Sequence, residues 1–346
     1  MQLKNLQYYS NVVISEQLEL DTLPRESETR LLIELIHDSV GQPVHIPVIV
    51  ARGRREGPVF GITAALHGNE VNGIPSIHRL FEQLDLRQLR GTLVGVLVLN
   101  IPSYIRQRRR FVDNVDLNRT WPGVPNGNVS QVYTNRFMER VGRHFNYLID
   151  LHTASFGRIN SLYVRADMSD PIIAQMARLQ RRQIILHNPP SGRTLRGTMA
   201  KMGIPAITVE IGDPHLFQPK YINLTTRGIR RVLVHLGMLP RRAIKEGPPP
   251  ILCSHSYWLY TDQGGLLTVL PDVTEKVEAK QLIARQRNIF GDLIREYHAP
   301  EAGIVIGKST NPVGQTGARI LHLGIIASPE EGAIPKSDRS EKSKCF

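Results

Sequence analysis

Short apolar runs rich in β-branched residues alternate along this chain with segments of helical period, and that alternation restricts the fold more than any other feature. The runs occupy residues 58–66, 92–100, 147–151, 183–187 and 205–211. Each is apolar almost without a break, as in a strand covered on both faces rather than one with a wet side. Between them lie helix-period segments at 71–84, 132–144, 171–182 and 225–239. In the first, Val71, Ile74, Ile77, Leu80, Phe81 and Leu84 share one face. The pattern predicts an α/β fold, a mostly parallel (mixed) sheet with helices on both faces.

The flanks differ in texture. Residues 1–45 read as a preamble, polar and charged at 21–30, that packs on the domain at 46–240. Residues 239–252 hold four prolines and the pair Arg241–Arg242, and read as a linker. From 250 to 326 the pattern is short strands and turns, an all-β module, and the polar stretch 328–346 is expected to be disordered.

Composition narrows the function classes. Lys and Arg number 43 against 31 Asp and Glu, a net charge of +12. The basic runs, chiefly Arg106 to Arg110, are not interleaved with aromatic residues, and no nucleic-acid motif accompanies them. They read mainly as solvated surface, with neither nucleic acid nor membrane as partner, although a member of Arg106 to Arg110 could polarise a substrate carbonyl and stabilise an oxyanion. Only Cys253 and Cys345 are present, which excludes a disulfide framework and a cysteine-based zinc site. The N-terminus lacks a signal-peptide layout, and the longest apolar stretch, 92–101, is too short to span a bilayer. A soluble, cytoplasmic protein is expected. The glycines of 303–309 are separated by three residues where a phosphate-binding loop needs four.

Four segments at predicted strand ends carry the chemistry. AALHGNE places His67 and Glu70 three residues apart, able to aim at one point, with Gly68 allowing a sharp turn between them. LIDLHTAS places His152 after a strand, with Asp150 two residues earlier as a residue to orient an imidazole. Two histidines and a glutamate form a known catalytic zinc set, which leaves one position for water. PAITVEIGDPH places Glu210 in an apolar strand, where a carboxylate is costly unless paired or working. Beside such a metal it could act as general base and then general acid. FVDNVDLNRTWPG supplies Asn118 and Arg119, suited to a substrate carboxylate. A second His-x-x-Glu, at His298 and Glu301, is interrupted by proline and is set aside. In an open parallel sheet, ligands gather beyond the carboxyl ends of the strands, where His67, His152 and Glu210 all fall.

HGNE, DLNR, IDLHT and VEIG, in this order, resemble the succinylglutamate desuccinylase/aspartoacylase family, relatives of the zinc carboxypeptidases, over about residues 45–325. The resemblance implies that His67, Glu70 and His152 hold one zinc ion and that Glu210 is the catalytic glutamate. Asn118 and Arg119 would bind the substrate carboxylate, joined by Arg196 from TLRGTMAK. The family's catalytic arginine before DLNR, which would stabilise the oxyanion together with the zinc, maps to Arg110, with Arg109 as the alternative because the spacing is one residue longer than the family pattern. A family tyrosine has Tyr257 and Tyr260 as its candidates. The β module is similar to a lipoyl-like barrel-sandwich hybrid, but residues 289–292 at its hairpin tip contain no lysine, so no lipoylation is expected. Its part would be structural, at the site mouth or an oligomer interface.

The expected function is therefore that of a zinc hydrolase acting on carbon–nitrogen bonds other than peptide bonds: a deacylase (amidohydrolase) of N-acyl amino acids or similar small carboxylates. A carboxypeptidase acting on short peptides is the neighbouring alternative. A basic nucleic-acid-binding or scaffold protein is the alternative outside enzymes. The acyl group, the amine and the oligomeric state, with a homo-oligomer allowed, are left open by the sequence.

Overall fold

A computed structural model of the protein describes residues 11–181, 183–241 and 249–328. Half of the expected linker and nearly all of the expected disordered tail lie outside these residues.

Among the described residues one mixed sheet of fourteen strands forms the backbone of the molecule. At its centre Arg90–Val96, Arg55–Ala64, Tyr147–His152 and Ala206–Ile211 run side by side and parallel. All four were predicted as strands. The next neighbour, Leu162–Ala166, pairs antiparallel with Ala206–Ile211, so the strand direction reverses beside Glu210.

Apolar strand residues point alternately to two cores. Phe60, Ile62, Ala64, Ile149 and Leu151 pack beneath the helices Gly73–Glu82, Pro171–Leu179 and Pro219–His235. Val94, Val96 and Leu148 pack on the other face, against Val129–Arg140 and Leu195–Lys201. Coverage on both faces matches the unbroken apolar runs. Helix starts are encoded locally. Asp170 accepts from the backbone N–H groups of Ile172 and Ile173 with a proline in the first turn, and Asn128 and Gln131 form a capping box.

The region read as a preamble is also sheet. Ser27–His37 and Pro43–Arg52 form an antiparallel hairpin, joined to the main sheet through Arg90–Val96. Leu31, Ile33, Leu35, Ile46, Val48 and Val50 line one buried face. The alternating Glu28, Arg30 and Glu34 made this segment look merely charged, because only one of its faces is covered.

The C-terminal strands continue the same sheet. Ile251–Tyr260 pairs parallel with Ile184–His187 and antiparallel with Arg319–Ile326. A second, four-stranded antiparallel sheet contains Gly265–Val269, Leu282–Arg287, Leu293–His298 and Val313–Gly314, and shares a small core with main-sheet residues Val305, Leu321 and Leu323. Residues 288–292 make the turn of its hairpin, leaving Ile289 and Phe290 exposed. Among the described residues no helix is long and apolar enough to cross a membrane.

Candidate metal centre and active site

His67 and Glu70 sit just beyond the strand Arg55–Ala64, and the chain leaves that strand through Ala65 in the left-handed region, φ 51°. Backbone bonds from Leu99 to Ala64 and from Asn100 to Ala65, with the Asn100 amide donating to the Leu66 carbonyl, hold this exit in place. Gly68 serves a different need from the sharp turn expected of it. A Cβ there would lie 2.1–2.2 Å from the Ser103 and Tyr104 backbone, so only glycine allows the two segments to approach this closely. Gly68→Ala is expected to cost about 1–3 kcal/mol by overpacking and to weaken metal binding by displacing His67 and Glu70. Urea unfolding and zinc titration of the variant check both effects.

His152 ends the neighbouring strand, and Glu210 lies opposite it in the next one. Residues two apart on a strand share a face, so Asp150 stands below His152. Glu70 collects both imidazoles. His67 Nδ1 lies 2.9 Å from its Oε1, and His152 Nδ1 lies 2.9 Å from its Oε2. Each outer nitrogen meets an aspartate: His67 Nε2 lies 3.0 Å from Asp116 Oδ1, and His152 Nε2 lies 2.7 Å from Asp150 Oδ2. Asp150 in turn accepts from the Thr63 hydroxyl at 2.7 Å.

All three of His67, Glu70 and His152 are buried, and their ligating atoms lie within 4.8 Å of one another. Inner nitrogens aimed at a shared carboxylate, with outer nitrogens held by second carboxylates, form the arrangement expected around a divalent cation. The residues present fit such an ion. Asp150→Asn is expected to weaken zinc affinity about 10- to 100-fold, measured by competition with a chelating dye.

The electrostatics are those of a tightly coupled charge cluster. Burial works to raise the Glu70 carboxyl, but His67 and His152 outweigh it and hold it well below the usual carboxylate range. Burial opposes charge on His152 as well, yet Asp150 and Glu70 raise its imidazole well above the usual range. Asp116 is likewise kept ionised against burial, by His67 and Arg109.

Of the two arginine candidates, Arg109 reaches the centre. Its Nη1 donates to Glu70 Oε1 at 2.9 Å and to the Ser155 hydroxyl at 3.1 Å, and its Nη2 donates to Asp116 Oδ2 at 3.0 Å. Arg110 borders the same cavity but is exposed and donates to the Asn114 carbonyl. The intervening turn, with Gln107 in the left-handed region, decides which of the adjacent side chains points inward.

Glu210 is nearly buried; its Oε1 accepts from Arg165 Nε and its Oε2 from Asn160 Nδ2, both at 3.2 Å. Asn118, Arg119 and Arg196 line the cavity. Asn118 Oδ1 accepts from the Leu195 backbone, tying down the helix that carries Arg196, whose guanidinium donates to Asn188. Burial and the neighbouring Arg165 push Arg196 down to about 10, which leaves it charged at neutral pH. Tyr257 borders the cavity and donates to Glu301, whereas Tyr260 is half-exposed and lies outside it.

Several site residues escaped the sequence reading. Asp116 stood inside DLNR without a role, and Arg165, Asn160 and Ser155 had no motif. Asn72 joins two strand ends, donating to the Ile211 carbonyl and to Gln218. His67, Glu70, His152 and Glu210 line a cavity of about 680 Å³, which Ser256, Trp258 and His322 from the C-terminal strands help to wall.

Comparison with known proteins agrees with this geometry. The sequence model of the succinylglutamate desuccinylase/aspartoacylase catalytic domain matches residues 56–236. An N-alpha-acetyl-L-2,4-diaminobutyric acid deacetylase of Halomonas elongata is 24% identical over 286 residues, 78% of this chain and 83% of that one. A succinylglutamate desuccinylase of Pseudomonas paraeruginosa is 30% identical over 186 residues, 49% of this chain and 56% of its own length. The product-bound ectoine utilization protein EutE (DoeB) of Ruegeria pomeroyi shares the fold, with a TM-score of 0.80 at 21% identity over 88% of this chain and 98% of that one. With the motif residues gathered at one centre and the family model covering the strands that carry them, the chain belongs to the succinylglutamate desuccinylase/aspartoacylase family.

Proposed function

We propose that the protein is a zinc-dependent amidohydrolase that removes the acyl group from an N-acyl amino acid or a similar small carboxylate. The observation that carries this reading is the buried His67, Glu70 and His152 group, opening with Glu210 onto one arginine-lined cavity. The names of the Halomonas and Pseudomonas relatives, a deacetylase and a desuccinylase of amino acids, support it.

His67, Glu70 and His152 would hold a zinc ion, which would supply Lewis acidity toward water and toward the amide carbonyl. Glu210, fixed by Arg165 and Asn160, takes a proton from the attacking water and later delivers it to the departing amine nitrogen. We assign the oxyanion-stabilising role to Arg109 rather than Arg110, since its guanidinium is the one held at the centre. Asn118 holds the start of the helix Leu195–Lys201 through its Oδ1, and with Arg119 and Arg196 receives the substrate carboxylate. The C-terminal strands fit a barrel-sandwich-like module that walls the cavity.

Incubating the zinc-loaded protein with a panel of N-acyl amino acids, and with short peptides as a counter-screen, tests the reading. Release of free amino acid from the acylated substrates is expected. Hydrolysis confined to peptides would instead support a carboxypeptidase.

A further inference from the structure

Gly303 and Gly307, whose spacing excludes a phosphate-binding loop, lie in one C-terminal strand, Gly303–Ser309. This strand pairs antiparallel with Arg319–Ile326 and also with the short strand Arg158–Asn160, placing Gly307 opposite Asn160 and Ser309 opposite Arg158. Among the described residues Arg158–Asn160 has no other strand partner, so its ladder depends on the C-terminal region. Bonds from the Thr310 N–H to the Gly157 carbonyl at 2.9 Å and from the Ser161 N–H to the Ile306 carbonyl at 2.8 Å extend the clamp on both sides. Opposite Arg319–Ile326 the strand carries a bulge: Val305 faces Leu323 and Gly307 faces His322, which leaves Ile306 as the extra residue. A bulge bends its strand and re-aims what lies beside it.

Asn160 carries this clamp to the active site. Its buried side chain donates from Nδ2 to Glu210 Oε2 at 3.2 Å, while Arg165 donates to Oε1. Donors on separate oxygens fix the carboxylate plane, and a misplaced reacting group loses rate steeply. The amide can take this position because residue 307 has no side chain. A Cβ on Gly307 would lie 2.3 Å from Asn160 Oδ1 and 2.9 Å from the Ile159 carbonyl oxygen. Gly307 is not in the left-handed region, so the position uses the missing side chain rather than backbone freedom. Gly303, four residues earlier, meets different neighbours: a Cβ there would lie 2.7 Å from the Gly324 carbonyl oxygen and 2.8 Å from the Leu323 side chain.

We propose that Gly307 is a positioning residue for Glu210: it leaves the room in which the Asn160 amide holds the carboxylate. The C-terminal strands then orient the general base as well as walling the cavity. The catalytic consequence rests on the deacylase reading, whereas the contact itself does not.

The test measures kcat, KM and zinc content on the best N-acyl amino acid of the panel, for wild type, Gly307→Ala, Asn160→Ala, their double variant and Gly303→Ala. Gly307→Ala and Asn160→Ala are each expected to lower kcat about 10- to 100-fold, the size of a lost hydrogen bond to a charged group. KM should stay within about threefold, since the loss falls on the chemical step, and zinc content should stay at the wild-type level. The double variant is expected to match Asn160→Ala, because without the amide the added methyl has nothing to displace. Gly303→Ala should lose thermal stability by overpacking yet keep kcat within about threefold. Losses that multiply in the double variant, or a kcat loss in Gly303→Ala equal to that in Gly307→Ala, overturn the proposal. Should Gly307→Ala not fold, the double variant is expected to recover folding, and its failure to do so overturns the proposal as well. NMR of the isotopically labelled asparagine side chains reads the contact without turnover. The Asn160 amide signal, identified by its loss in Asn160→Ala, is expected to shift in Glu210→Ala and in Gly307→Ala. A shift without hydrolysis of any N-acyl amino acid keeps the contact and removes the deacylase. Hydrolysis by Gly307→Ala at the wild-type kcat, or an unmoved signal, keeps the deacylase and removes the positioning role.

Discussion

Glu210→Gln is expected to lower kcat on N-acyl amino acids by about 100- to 10,000-fold, the range typical of removing a general acid–base group, while zinc content stays at the wild-type level. The two halves of this expectation have separate structural causes. Glu210 lies beside His152 across the sheet but outside the group of three ligand residues, so its replacement leaves all three in place. Glutamine keeps an oxygen to accept the Arg165 N–H, and therefore preserves the local hydrogen bonding better than alanine. What it lacks is a proton-accepting carboxylate at the position where water must be activated. Steady-state kinetics paired with elemental analysis of the same sample reads both halves. Turnover within about tenfold of wild type would reassign the base.

Replacing His67 and His152 together by alanine is expected to abolish zinc binding, from about one ion per chain to none. Elemental analysis after dialysis gives the count. Thermal unfolding gives an independent reading: zinc at one hundred times its dissociation constant should stabilise the wild type by about 2.7 kcal/mol, and chelation should reverse this. The variant should show no response to either. Its basal stability should also fall, because Glu70, Asp116 and Asp150 lose the imidazoles that now offset their buried charge. A wild type that takes up no metal after incubation with zinc would remove the basis of the hydrolase reading.

Much of this centre was legible because its residues are constrained locally. A strand end puts a side chain at the sheet edge whatever else the chain does, so His67, His152 and Glu210 could be placed together from strand periodicity alone. The i, i+2 relation of Asp150 and His152 belongs to the same strand and was equally visible. Asp116 was harder, because its partner His67 lies 49 residues away and nothing local demands the contact. The choice between Arg109 and Arg110 failed for a related reason: adjacent residues in a turn point in different directions, and spacing carries no information about which one faces inward. The N-terminal hairpin was hidden by its own charges, since a strand covered on one face alternates polar and apolar residues.

The sequence by itself determined the kind of sheet and the residues at its strand ends, and it singled out His67, Glu70 and His152 as candidate ligands, because strand position follows from short-range periodicity and side-chain chemistry. Tertiary structure alone decided which charges pair and where the cavity wall comes from. Strand Ile251–Tyr260 joins the main sheet beside Ile184–His187 and thereby carries Ser256 and Trp258 to a site built by residues more than forty positions earlier in the chain. That junction depends on edge-strand pairing between distant segments. Backbone hydrogen bonds supply the attraction for such pairing without regard to sequence, and only the packing of the assembled core selects the partner.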